Sequence, residues 1–156
     1  MLIQGIIDKN LYQFIDYEVE SWEEAITISC QPLVRNGIVD EHFAKLLIEK
    51  VYEYGPYIVL LPNLAMPHTT ENAPGVKDTA IAFTRFSKPV RFDVNDPSKD
   101  AQVFFTLAAE NGEKHLKNMA GLFQILSEGD ILEQVIDVKS YEDLLRIAKT
   151  LNDPKL

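Results

Sequence analysis

The chain has 156 residues, 46% of them hydrophobic and 25% charged, with a formal net charge of −9; this length fits one domain, 1–156, burying roughly 70% of its unfolded surface. That acidity argues against a nucleic-acid backbone or an anionic membrane as partner, and no apolar run approaches the roughly 20 residues of a membrane span. The single cysteine, Cys30, cannot form an internal disulfide, so a reducing cytoplasm is the expected compartment.

Taken in chain order, "MLIQGIIDKNLYQF" has neither a basic n-region nor a small-residue cleavage site and does not read as a signal peptide. Ser21 followed three residues later by Glu24 is a capping-box signature. A helix behind it presents Trp22, Ala25, Ile26 and Leu33, with Pro32 expected to kink or end it and Gly37 to stop it. The spacing of Phe43, Leu46, Leu47 and Val51 predicts a second helix from Asp40 to the Gly55-Pro56 break. Three strand-like runs follow, at 57–61, 79–86 and 102–109, with a short fourth at 90–92 after Pro89. Asn111-Gly112 opens a helix expected to bury Leu116, Met119, Ala120, Phe123 and Leu126. Helical segments at about 130–136 and 141–151 close the chain, Ser140 and Asp143 capping the last. Helices, then a cluster of strands, then helices predict an α/β layered domain with a mixed sheet.

Three histidines are candidates for chemistry: His42, His68 and His115. His42 sits in the first turn of a charged helix, where a solvated surface role is the simpler reading. His68 ends an apolar, strand-like run, the place where α/β sheets present ligand-binding loops. Pro67 stiffens the backbone before it, and Thr69 and Thr70 after it offer hydroxyls and backbone N–H groups to anionic oxygens. A capping or core role for His68 is equally open on these residues alone. His115 stands in the expected first turn of a helix directly after an apolar strand. Helix N-termini carry partial positive charge, favouring a neutral imidazole and welcoming an anion. Two such imidazoles could converge on one phosphoryl group, one attacking phosphorus and the other donating to the equatorial oxygens. A metal site is the competing reading, but no H-E-x-x-H, C-x-x-C or short-spaced His/Asp cluster supports it. A serine hydrolase lacks its G-x-S-x-G, Cys30 reads as a buried structural thiol, and no glycine-rich nucleotide loop is present. No metal or diffusible cofactor is expected.

The stretches "EYGPYIVLLPNLAMPHTTENAPGVKDTAIAF", "KPVRF" and "NDPSKDAQVFFTLAAENGEKHL", together with the closing helices, resemble the IIA components of the phosphoenolpyruvate-dependent sugar phosphotransferase system (PTS). The resemblance covers about Trp22 to Ala148 and is to the mannitol/fructose-type IIA domain, within it most closely to the ascorbate-type branch. It implies a cytoplasmic phosphocarrier with a mixed five-stranded sheet flanked by helices. Such a carrier accepts a phosphoryl group on histidine from the phosphocarrier protein HPr and passes it to a IIB component. IIB phosphorylates the sugar during uptake through a membrane IIC component. The phosphorylated histidine falls on His68 and the assisting one on His115, with Thr70 matching a threonine of the mannitol-type branch. Homodimer formation is also an open expectation.

Two departures bear on the sugar. Ascorbate-type members read H-A-R-P-E where this chain has "HTTEN", placing Thr70 where they carry arginine. Mannitol-type members carry an arginine in the helix before the strand, and here only Lys50 is near that place. Lys77 or an arginine of the partner is therefore expected to supply the missing charge. A IIA-like module whose phosphorylation state controls a binding partner is the alternative function.

Overall fold

The computed structural model describes residues 2–69 and 73–152. Its elements are α1 (Leu2–Asp8), β1 (Tyr12–Ile15), α2 (Trp22–Arg35), α3 (His42–Tyr54), β2 (Val59–Leu61), β3 (Asn63–Ala65), β4 (Ala80–Arg91), a 3₁₀ turn (Pro97–Lys99), β5 (Asp100–Ala108), α4 (Gly112–Leu126), α5 (Ile131–Ile136) and α6 (Tyr141–Asn152). The strands form one five-stranded mixed sheet in the order β1-β4-β5-β3-β2. β1 runs parallel to β4 and β3 parallel to β5, whereas β4–β5 and β2–β3 are antiparallel. The expected α/β architecture is therefore present, with two N-terminal elements added to it. α1 buries Ile3 and Ile6. β1 has only four residues, all half-buried, too short for an alternating pattern to stand out.

At the start of α2 the Ser21 side chain accepts from Glu24 N at 3.1 Å, and Glu24 Oε2 accepts from Glu20 N at 3.3 Å. The expected box forms, reaching one residue further back on its return bond. Pro32 does not end this helix, which runs on to Arg35. Proline has no N–H for the carbonyl four residues earlier, here Ile28. Gln13 Nε2 donates to that carbonyl at 2.6 Å and to Thr84 Oγ1 at 3.0 Å, tying β1 to both α2 and β4. An unmade buried bond would cost about 1–3 kcal/mol, and this side chain removes that cost. α3 begins two residues later than expected, because the Asp40 carboxylate accepts from His42 N at 2.9 Å.

The run 57–61 is one arm of a hairpin. The chain turns at Pro62, takes a left-handed φ of 71° at Asn63, and returns as β3. The two expected runs 79–86 and 90–92 are a single strand, β4. Its register against β5 breaks between Arg85 and Val90, where Ser87, Lys88 and Pro89 are exposed. Proline cannot donate to the ladder and is tolerated at such an irregularity. β5 is buried from Val103 to Ala108, as a central strand covered on both faces should be. Phe83 packs edge-on against Phe105, and Phe86 against Phe104. Burying each such side chain contributes about 1.5–3 kcal/mol.

The buried face of α4 differs from the expected one. Leu122 and Leu126 are buried, in line with half-buried His115, Asn118 and Met119, while Leu116 is 70% and Phe123 42% exposed. Apolar residues make up nearly half of this helix and crowd its second half, so the 3.6-residue period allows two overlapping stripes. The stripe that packs is the one beginning at His115.

Candidate functional site

Pro67-His68 follows β3 after the single residue Met66, and the backbone there is tied down one group at a time. Met66 N donates to Ile58 O at 2.8 Å, and Pro67 O accepts from Leu107 N of β5 at 2.9 Å. His68 O accepts from the Tyr57 hydroxyl at 2.5 Å. The His68 ring is buried, with Nδ1 2.5 Å from Met66 O. A carbonyl only accepts, so Nδ1 carries the proton and Nε2 the lone pair.

His115 reaches the same place from α4. Asn111 caps that helix, its side chain accepting from Lys114 N at 2.9 Å, which sets His115 in the first turn. The rings of His68 and His115 lie 5.4 Å apart between centroids and 22° from parallel. The two candidate imidazoles are thus brought together at the C-terminal end of β5, one from its parallel neighbour β3 and the other from the helix that follows it. Thr69, also buried, lines a depression of about 10 Å³ beside them with Phe43, Asn111, Gly112 and His115. Thr70 lies outside the described residues. His42 is not part of this cluster: it is exposed and faces Asp40 at 3.5 Å. Lys50 pairs with Glu53 at 3.8 Å and lies over the Tyr54 ring. Lys114 is taken by Glu110 at 2.8 Å, and the Lys77 side chain is exposed. Among the described residues, no group of three or more His, Cys, Asp or Glu side chains is placed to hold a metal ion.

The sequence model of the family described as "Phosphoenolpyruvate-dependent sugar phosphotransferase system, EIIA 2" matches residues 5–150. The chain belongs to this family. This EIIA chain is 34% identical over 129 residues to the ascorbate-specific PTS system EIIA component of Escherichia coli (strain K12), covering 81% of the chain and 80% of the relative. A crystal structure from Streptococcus pyogenes M1 GAS, described as a PTS IIA domain, superposes with a TM-score of 0.81 at 30% identity, covering 98% of this chain and 97% of that one. The solution structure of the mannitol-specific cryptic phosphotransferase enzyme IIA from Escherichia coli gives 0.80 at 25% identity, covering 96% and 99%. No helix among the described residues is long and apolar enough to cross a membrane.

Electrostatics in this EIIA chain favour neutral rings. Burial holds the His68 imidazole below the ordinary histidine range, against the opposing bond to Met66 O. Burial also lowers His115, and the neighbouring His68 lowers it further. Since both folded-state pKa values lie below the ordinary value near 6.5, the unfolded chain binds more protons in the interval between. The stability that these neutral rings maintain is complete above that value and lost as pH falls through the depressed ones. Nitrogen-15 NMR titration should accordingly find His68 and His115 both titrating below the ordinary histidine value near 6.5; a midpoint for His68 above that value would contradict it.

The loop after His68 is anchored to the α2–α3 connection. Asp40 N donates to Gly75 O at 3.2 Å, Lys77 N to Ile38 O at 2.8 Å, and Val39 bridges Val76. Gly75 has φ +83°, and a Cβ there would stand 2.2 Å from Asp40 Oδ2. Asp40 cannot swing away without giving up its bond to His42 N. Gly75→Ala should therefore destabilise the protein by about 1–3 kcal/mol, read by urea denaturation. An unchanged midpoint would show that this close approach is not needed.

Proposed function

We propose that this chain is a cytoplasmic phosphohistidine carrier, taking a phosphoryl group from phospho-HPr onto His68 and passing it to a IIB component, which serves sugar uptake through a membrane IIC permease. The observation that carries this reading is the pairing of two buried or half-buried, neutral imidazoles, one of them tied through Nδ1 to a carbonyl. Nε2 of His68 is the nucleophile. It forms the new bond to phosphorus as the bond to the donor breaks, the donor keeping that electron pair. The Nδ1 proton stays on the ring, and the positive charge developing there is offset by Met66 O. His115, at the N-terminus of α4, donates to the equatorial oxygens, where charge builds in the loose transition state. Thr69 and Thr70 supply further donors to those oxygens. For the return step the same groups act in reverse, with the acceptor on IIB as nucleophile.

The size of the depression supports carriage over binding of a sugar. Pockets for small molecules run to about 300–1,000 Å³, against about 10 Å³ beside the histidines. A wider cavity of about 620 Å³ lies between α2 and α3, lined by residues such as Cys30, Gln31, Ala44 and Lys45, and includes neither histidine. The similarity to an ascorbate-specific component supports ascorbate, or another pentose- or hexose-type substrate, as the sugar served. Incubation with phosphoenolpyruvate, enzyme I and HPr, followed by mapping of the labelled residue, tests the reading. Label on His68 supports it; no label, or label on another residue, overturns it.

A further inference from the structure

Tyr57 lies eleven positions before His68 and touches it twice. Its hydroxyl donates to the His68 carbonyl at 2.5 Å, and its ring meets the imidazole at 5.3 Å between centroids and 78° between planes. Three consecutive carbonyls, of Met66, Pro67 and His68, thereby receive three different donors: the His68 ring itself, the Leu107 amide and the Tyr57 hydroxyl. The first of these bonds is the one that selects the His68 tautomer. It is a contact within a tripeptide and holds only while the backbone on both sides stays put. Leu107 fixes the middle of the tripeptide, and Tyr57 fixes its end. Tyr57 is itself held, edge-on against Tyr54 at the C-terminus of α3. Burial pushes its phenol up to about 12, so it remains a donor throughout the physiological range.

We infer that Tyr57 is a positioning residue for the phosphoryl-accepting histidine, its hydroxyl clamping the His68 carbonyl so that Nδ1 stays on Met66 O and Nε2 is presented to phosphorus. This inference rests on the carrier reading for its consequence in transfer, but its structural half does not.

Tyr57→Phe removes the hydroxyl and keeps the ring. Side-chain nitrogen-15 NMR of the unphosphorylated protein should find His68 almost wholly in the Nδ1–H form in the wild type and mixed with the Nε2–H form in the variant. Misplacing a reacting group by about 1 Å can cost on the order of a hundredfold. Loss of one clamp with the ring retained should therefore slow single-turnover transfer from saturating phospho-HPr by roughly tenfold. Half-saturation by phospho-HPr should stay unchanged. Tyr57→Leu, which removes the ring contact as well, should slow it further. Thermal melts identify any variant that fails to fold, and the tautomer comparison is then made on Tyr57→Phe, the smaller change. A Tyr57→Phe protein with the wild-type tautomer and rate overturns the inference, even if it melts earlier. Absence of His68 labelling in the wild type would instead overturn the carrier reading, leaving the tautomer result to decide the clamp.

Discussion

His68→Ala is expected to abolish acid-labile phosphorylation by phosphoenolpyruvate, enzyme I and HPr, down to the background of the assay. The expectation rests on geometry that no other histidine shares. His68 alone has one ring nitrogen committed to a carbonyl, which leaves the other unprotonated at neutral pH. His42 is exposed, faces the Asp40 carboxylate and stands apart from the paired rings. His115 has no backbone acceptor for either nitrogen among the described residues, so nothing comparable selects its tautomer. The substitution also removes the donor to Met66 O, which should cost about 1–3 kcal/mol if that carbonyl is left dry. Loss of labelling could then be confused with loss of fold. His68→Gln, which retains an amide donor near the same carbonyl, addresses this: it should melt closer to the wild type and still take no phosphate. Labelling of either variant at the wild-type level would remove His68 from the acceptor position.

How much of this was legible in the sequence follows from how local each signal is. Ser21 with Glu24, and Asn111 before its helix, are caps written within four residues, and both form as read. The end of a strand-like run at Pro67-His68 and the start of a helix at His115 are likewise local, and β5 between them supplies the convergence. What was not legible depends on partners distant in sequence. Pro32 reads as a helix terminator until Gln13, nineteen residues earlier, is found on the carbonyl it vacates. Residues 57–61 read as one strand because the hairpin turns on Pro62 and a left-handed Asn63, neither of which breaks the apolar pattern strongly. That hairpin is what carries Tyr57 back over His68. A tyrosine inside an apolar run therefore gave no sign of its contact with the histidine, although its hydroxyl, which needs a partner when buried, was the available hint. On α4 the apolar residues were too many to choose a face, and packing beneath His115 chose it.

Replacing His115 by alanine should leave the chain able to accept phosphate but slow to exchange it. In the proposed mechanism His115 touches only the transferring group, so its removal weakens the transition state without deleting the nucleophile. Losing one such preorganised donor costs on the order of 3 kcal/mol, or more than a hundredfold in rate. Two further effects pull in opposite directions. The neighbouring imidazole helps hold His115 low, and His115 in turn adds to the burial around His68; opening that side to water should make His68 somewhat easier to protonate. On the other side, α4 keeps its Asn111 cap and its buried Leu122 and Leu126, so its positively polarised N-terminus remains aimed at the site and retains part of the stabilisation. The net expectation is a large fall in single-turnover rate in both directions, with little change in melting temperature, since His115 is only half-buried. His115→Gln, which restores a side-chain donor on a flexible stem, should recover a fraction of the lost rate. Rates unchanged in both directions for His115→Ala would place the second imidazole outside the chemistry and leave the N-terminus of α4 and the threonines after His68 to hold the phosphoryl oxygens.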